Sequence, residues 1–128
     1  MKNIALLFAL FLPLMACSQQ KVVENVNVEQ LSKVDHQADN NIVVLDVRTD
    51  QEVNEAHIEG SQHIDVLRTD EFTTKVNALD KEKTYYVICR SGGRSSKAAN
   101  MMIELGFKNV YNVEGGMTAW QAKGYAVE

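Results

Sequence analysis

Residues 84–105 read TYYVICRSGGRSSKAANMMIEL. Thr84 to Cys89 is rich in β-branched and aromatic residues and predicts a strand. Ala98, Met101, Met102 and Leu105 recur at i, i+3, i+4 and i+7, one face of a helix, and Gly106 supplies a residue to end it. The chain must bend sharply in between, and Gly92 and Gly93 can both take φ > 0 to let it. No Asp or Glu occurs between Glu82 and Glu104, while Arg90, Arg94 and Lys97 crowd around one thiol.

A strand-to-helix loop of this kind brings backbone N–H groups together and aims the positive end of the helix dipole at their centre. Such a nest holds an anion, and the sulfur of Cys89 is the anion on offer. Helix N-termini and neighbouring cations lower the pKa of a cysteine and expose its nucleophilic form. The stretch therefore predicts a reactive, ionised Cys89 in a loop made of Arg90, Ser91, Gly92, Gly93, Arg94 and Ser95. An inert core cysteine at a strand end would explain Cys89 but not the glycines and arginines around it.

Working outward, Ile42–Val47 (IVVLDV) is a continuous apolar run, as in a strand covered on both faces. VENVNV offers a short edge strand, and QHIDV and NVYNV two more. Asn27 with Gln30 forms a capping-box pattern opening a helix through about Gln37, and Thr49 or Asp50 opens another ending near His57. Phe72, Val76 and Leu79 mark a third helix, and GGMTAWQAKG a turn, a short helix and a stop. Trp120 and the methionine face read as core. Strands alternating with helices imply an α/β fold with a parallel sheet and helices on both faces. In such a sheet the loop after Cys89 lies at the C-terminal strand edge, where ligands bind.

The 128-residue chain carries 13 basic and 17 acidic side chains, a formal charge of −4, which argues against nucleic acid as a partner. Its first residues stand apart. Met1-Lys2-Asn3 is followed by an apolar run from Ile4 to Leu14 and then by Met15-Ala16-Cys17. The run is too short to span a bilayer and reads as the core of a signal peptide. The Leu14–Cys17 stretch resembles a bacterial lipoprotein signal, in which Cys17 becomes the lipid-bearing first residue; an ordinary secretory signal is the other reading. Residues 1–16 are then the signal, 17–25 a tether and 26–128 one domain. The expectation is export to the periplasm or cell envelope, with a lipid as the membrane anchor. Lipid on Cys17 would leave Cys89 without a disulfide partner in the chain.

Three motifs occur in order: LDVR with HIEG soon after, CRSGGRS, and GGMTAW near the end. Together they resemble the single-domain rhodanese, or thiosulfate sulfurtransferase-like, family across roughly Val26 to Tyr125. The resemblance implies a five-stranded parallel sheet flanked by helices. It implies that Cys89 takes a sulfane sulfur as a persulfide from a small anionic donor and passes it to a thiol or cyanide. The N–H groups of Arg90 through Ser95 would surround the outer sulfur, and Asp46 would orient the loop by reaching Arg90. A redox partner protein is compatible with this chemistry, and no cofactor is implied.

Glu59 and Ser61 depart from the family's usual HIPGA, and Val53 stands where an aromatic is common. Arg48 and Glu52 are expected to form a structural ion pair, and His57 to pack and hydrogen-bond in a turn rather than act as a base. His36 and His63 are isolated and have no metal-ligand spacing. Alternative readings are a non-enzymatic persulfide carrier, a phosphatase or arsenate reductase on the same fold, and an inactive binding module. The loop bears on the second of these. The related phosphatases resemble C-x5-R, whereas Cys89 to Arg94 is C-x4-R, one peptide unit shorter and cramped for a tetrahedral oxyanion.

Overall fold

In the computed structural model, which describes Pro13 and residues 21–128, the expected strands form one sheet. The remaining leader residues and Cys17 lie outside the described residues. The strands are β1 (Glu24–Val26), β2 (Ile42–Asp46), β3 (Gln62–His63), β4 (Thr84–Ile88) and β5 (Asn109–Val113). They lie in the order β1-β5-β4-β2-β3, every neighbouring pair parallel. The helices are α1 (Val28–Ser32), α2 (Asp50–Glu55), α3 (Thr69–Asn77), α4 (Gly93–Glu104) and α5 (Gly116–Ala122). The edge strand β1 falls within the VENVNV stretch that offered one.

Alternation along the strands divides the core in two. Val43, Leu45, Val87 and Val110 face α3 and α4 and meet Phe72, Val76, Ala98 and Met102. Val44, Ile88 and Val113 face the other way and meet Val28 and Leu31 of α1 and Met117 and Trp120 of α5. Both faces of β2 are covered, which is why Ile42–Val47 shows no polar alternation. The central strand β4 has β2 on one side and β5 on the other. The chain steps outward from β2 to β3 on one side and from β4 to β5 on the other, so the topology switches between β2 and β4, beside the loop that follows β4.

Local chemistry sets the helix starts. Asn27 Oδ1 accepts from Gln30 N–H at 2.8 Å, and Gln30 Oε1 accepts from Asn27 N–H at 2.9 Å. Thr49 and Glu52 make the same reciprocal pair at the start of α2. The first helix ends at Ser32, short of the expected Gln37. A tight turn closes there through Val34 N–H to Leu31 O, and the side chains of His36 and Gln37 then leave to bond Glu59 O. Those tertiary bonds win over helical continuation.

The expectation that both loop glycines take φ > 0 holds for Gly92 alone, at φ 111°. One left-handed residue completes the bend, and Gly93 is the first residue of α4 with open space where a Cβ would be. The tightest backbone approach lies elsewhere. Gly116, at φ 53°, opens α5 directly behind the loop, where an added Cβ would sit 2.4 Å from Cys89 O and 2.6 Å from Arg90 C. Gly116→Ala is expected to cost about 2–4 kcal/mol, from left-handed strain plus overpacking against backbone. Gly93→Ala, on a helix and unobstructed, should be neutral or slightly stabilising. Urea denaturation of the two variants checks this, and equal stabilities would contradict it.

Candidate active site

Cys89 follows the last residue of β4 and is 1% exposed. The chain then turns through Arg90, Ser91 and Gly92 into α4. Gly92 N–H donates to Cys89 Sγ at 3.1 Å. Burial pushes the Cys89 thiol up, but the Ser95 hydroxyl and the N–H groups of Ser95, Gly92 and Ser91 favour its ionised form, and the net shift is downward. Fixed dipoles of the loop thus favour the ionised form of a buried sulfur.

The loop is braced from behind. Met117 N–H donates to Cys89 O at 2.9 Å, and Thr118 N–H donates to Arg90 O at 3.0 Å. Free N–H groups at the start of α5 therefore hold the two consecutive carbonyls that open the bend, leaving the backbone N–H groups beyond them to face the sulfur. The sequence motif GGMTAW was legible as a turn and a helix. Its role as the backing of the loop was not, because only the backbone contacts of Gly116, Met117 and Thr118 reveal it.

The charged residues pair differently from expectation. Asp46 does not reach Arg90. It is buried and takes Arg48 Nε at 2.9 Å and Arg48 Nη2 at 2.7 Å, while its Oδ1 also accepts from Arg48 N–H at 3.1 Å. Arg48 in turn donates to Ala56 O at 2.7 Å. The expected Arg48–Glu52 pair is therefore absent, since Arg48 precedes the N-cap Thr49 and folds back onto its own strand. Glu52 instead takes both Nη1 and Nη2 of Arg94, at 2.7 and 2.8 Å, and so ties α2 to α4.

Arg94 stands close enough to Cys89 for the sulfur's charge to help hold it protonated, after the larger effect of Glu52. Its fork is nevertheless spent on Glu52, while Arg90 and Lys97 are exposed. The downward shift of the Cys89 thiol thus rests on hydrogen bonds more than on the cations its sequence advertises. Arg90, Thr118, Gln121, Glu52 and Glu55 are among the residues that line a groove of about 480 Å³ beside the loop. The groove borders the loop at Arg90.

The histidines are tied to backbone. His57 Nδ1 bonds Val53 O at 3.0 Å, and His63 Nε2 bonds Arg48 O at 2.6 Å. Among the described residues no three His, Cys, Asp or Glu side chains gather as a metal site. No helix among them is long and apolar enough to cross a membrane.

The Arg94 guanidinium, above all, pulls the Glu52 carboxyl down to about 2, against partial burial and with help from Thr49. A depressed carboxyl stabilises the fold above its ordinary pKa of 4.5 and loses that contribution as pH falls toward about 2. Stability should decline across that window, and Glu52→Gln should remove part of the decline. Denaturation midpoints measured from pH 6 to pH 2 check this. Parallel curves for the two proteins would contradict it.

The rhodanese-like domain family matches residues 30–123. YtwF of Bacillus subtilis (strain 168) is 45% identical over 87 residues, covering 68% of this chain and 81% of that one. The thiosulfate sulfurtransferase GlpE of Coxiella burnetii is 37% identical over 81 residues, covering 63% of this chain and 73% of its own. The crystal structure of a rhodanese-related protein from Thermoplasma volcanium superposes with a TM-score of 0.69 at 32% identity, covering 82% of this chain and 97% of that one. By sequence, by fold and by a cysteine at the head of a loop of N–H donors, the chain belongs to the rhodanese-like domain family.

Proposed function

We propose that the protein moves a sulfane sulfur from an anionic donor, thiosulfate or a persulfide, through a persulfide on Cys89 to a thiol or cyanide. The observation that carries this is a buried sulfur whose ionised form is held by the Ser95 hydroxyl and by backbone N–H groups of its own loop. GlpE, a thiosulfate sulfurtransferase by name, adds support.

Ionised Cys89 Sγ attacks the outer sulfur of thiosulfate. The bond between that sulfur and the sulfonate sulfur breaks, and sulfite leaves with the electron pair. Cys89 now carries a terminal sulfur with one negative charge, so total charge is conserved. A thiolate acceptor attacks this terminal sulfur, the S–S bond breaks, and Cys89 Sγ departs as the thiolate. The same N–H groups that hold the resting anion stabilise it as a leaving group. No proton moves in either step, consistent with His57 bonding backbone rather than sulfur.

Two features favour sulfur over phosphate. The loop from Cys89 to Arg94 has six residues, one fewer than the phosphatase pattern. With Cys89 1% exposed, a slim terminal sulfur reaches Sγ more readily than a phosphorus bearing four oxygens. Cys89→Ser is expected to abolish turnover with thiosulfate and cyanide while keeping the fold, since a serine hydroxyl is not ionised at neutral pH and forms no persulfide. The native protein should not turn over aryl phosphates. Sulfur transfer by Cys89→Ser, or Cys89-dependent phosphatase turnover, would overturn the proposal.

The N-terminal segment extends it to location. We read the chain as exported, cut between Ala16 and Cys17, and anchored by lipid on Cys17, with a redox or thiol partner in the cell envelope. Radiolabelled palmitate should enter the native protein and be lost in Cys17→Ala. Labelling that survives this substitution would contradict lipidation at that site.

A further inference from the structure

Asn112 is a polar side chain in an apolar place. It lies on β5 two residues beyond Val110, on the face packed against α4, and is 5% exposed. Its neighbours across the sheet are Val87 of β4 and Asn25 of the edge strand β1. Ser95 Oγ donates to Asn112 Oδ1 at 2.6 Å, and Asn112 Nδ2 donates to Asn25 Oδ1 at 3.0 Å. Ser95 is fully buried in the first turn of α4, where its hydroxyl favours the ionised form of Cys89, whereas Asn25 is exposed. A row of three polar side chains therefore runs from the sheet edge to the sulfur.

A serine hydroxyl has one proton to give. While Ser95 gives it to Asn112 Oδ1, none is left for Cys89. A half-turn of the Asn112 carboxamide exchanges Oδ1 and Nδ2 and leaves the positions of the other heavy atoms unchanged. Nδ2 then donates to Ser95 Oγ, and the hydroxyl proton is free to point at Sγ. Asn112 Oδ1 accepts in turn from the Asn25 amide, which can turn freely at the exposed edge. Ser95 Oγ and both carboxamide atoms of Asn112 keep a partner in both settings. An ionised sulfur favours the second setting, because it supplies a strong acceptor for the proton.

We propose that Asn112 is a positioning residue of this site, its carboxamide backed by Asn25 and turning the Ser95 hydroxyl toward the Cys89 sulfur when that sulfur is ionised. This rests on the reading of Cys89 as the nucleophile. Its test reads ionisation and not sulfur transfer, so the two can fail separately.

The measurement is the pH dependence of iodoacetamide alkylation at Cys89 in the full chain, followed by peptide mass. The charged groups around Cys89 are unchanged in the variants: Arg94 with Glu52 of α2, Asp65 after β3, the Asp46–Arg48 pair at the end of β2, and Arg90 and Lys97. Asn112→Ala should move the midpoint of the profile to higher pH and slow alkylation below it about tenfold, the scale of one hydrogen bond to a charged group. Ser95→Ala should do at least as much, and the double variant should match Ser95→Ala alone. An Asn112→Ala profile that superimposes on the native one, or shifts that add in the double variant, would overturn the proposal. If Asn112→Ala does not fold, Asn112→Asp keeps the shape but can only accept the Ser95 proton. It should raise the midpoint by more in the native protein than in the Ser95→Ala background, and equal shifts in the two would overturn the proposal.

Discussion

The N–H groups of Met117 and Thr118 hold the carbonyls of Cys89 and Arg90 from behind, and the rest of the site depends on those two bonds. A six-residue loop has few ways to bend, and most would leave its N–H groups scattered. With two carbonyls fixed on the far side, Gly92 N–H reaches Cys89 Sγ, and the N–H groups of Ser91 and Ser95 add to the field that favours its ionised form. Gly116 makes the contact possible, because no residue with a Cβ fits where its Cα lies against Cys89 O. The end of β4 sets the height of the loop, and α4 carries its last donor.

Charge plays a supporting part. Glu52 and Arg94 form a two-point clasp between α2 and α4, and Asp46 and Arg48 form another at the end of β2. Both clasps lie beside the loop, and both commit their arginines to carboxylates. Amide dipoles that favour the ionised sulfur would also favour it as a leaving group. The exposed Arg90 remains available at the groove to an arriving anion.

Much of this was legible in the sequence because it is local. The strand–loop–helix pattern at residues 84–105, the capping pairs at Asn27 and Thr49, and the apolar run at Ile42 each depend on neighbours within a few residues. The pairs that were misread are decided by distance in space. Glu52 and Arg48 are four apart, a helical spacing, but Arg48 lies before the helix, and the better partner for Glu52 is 42 residues away. Asp46 was expected to reach across to Arg90, yet Arg48, two residues on, reaches it first. Asn112 was passed over inside a strand. Its signal was a polar residue sharing a face with the apolar Val110, in a strand otherwise expected to be covered.

The most direct test of a sulfur-carrying Cys89 is the mass of the intact protein after incubation with thiosulfate, followed by peptide mapping. One sulfur added to the thiolate nucleophile should raise the mass by about 32 Da, confined to the peptide bearing Cys89 and removed by a thiol or cyanide. An unchanged mass, or a gain that maps to another residue, would contradict sulfur transfer through Cys89.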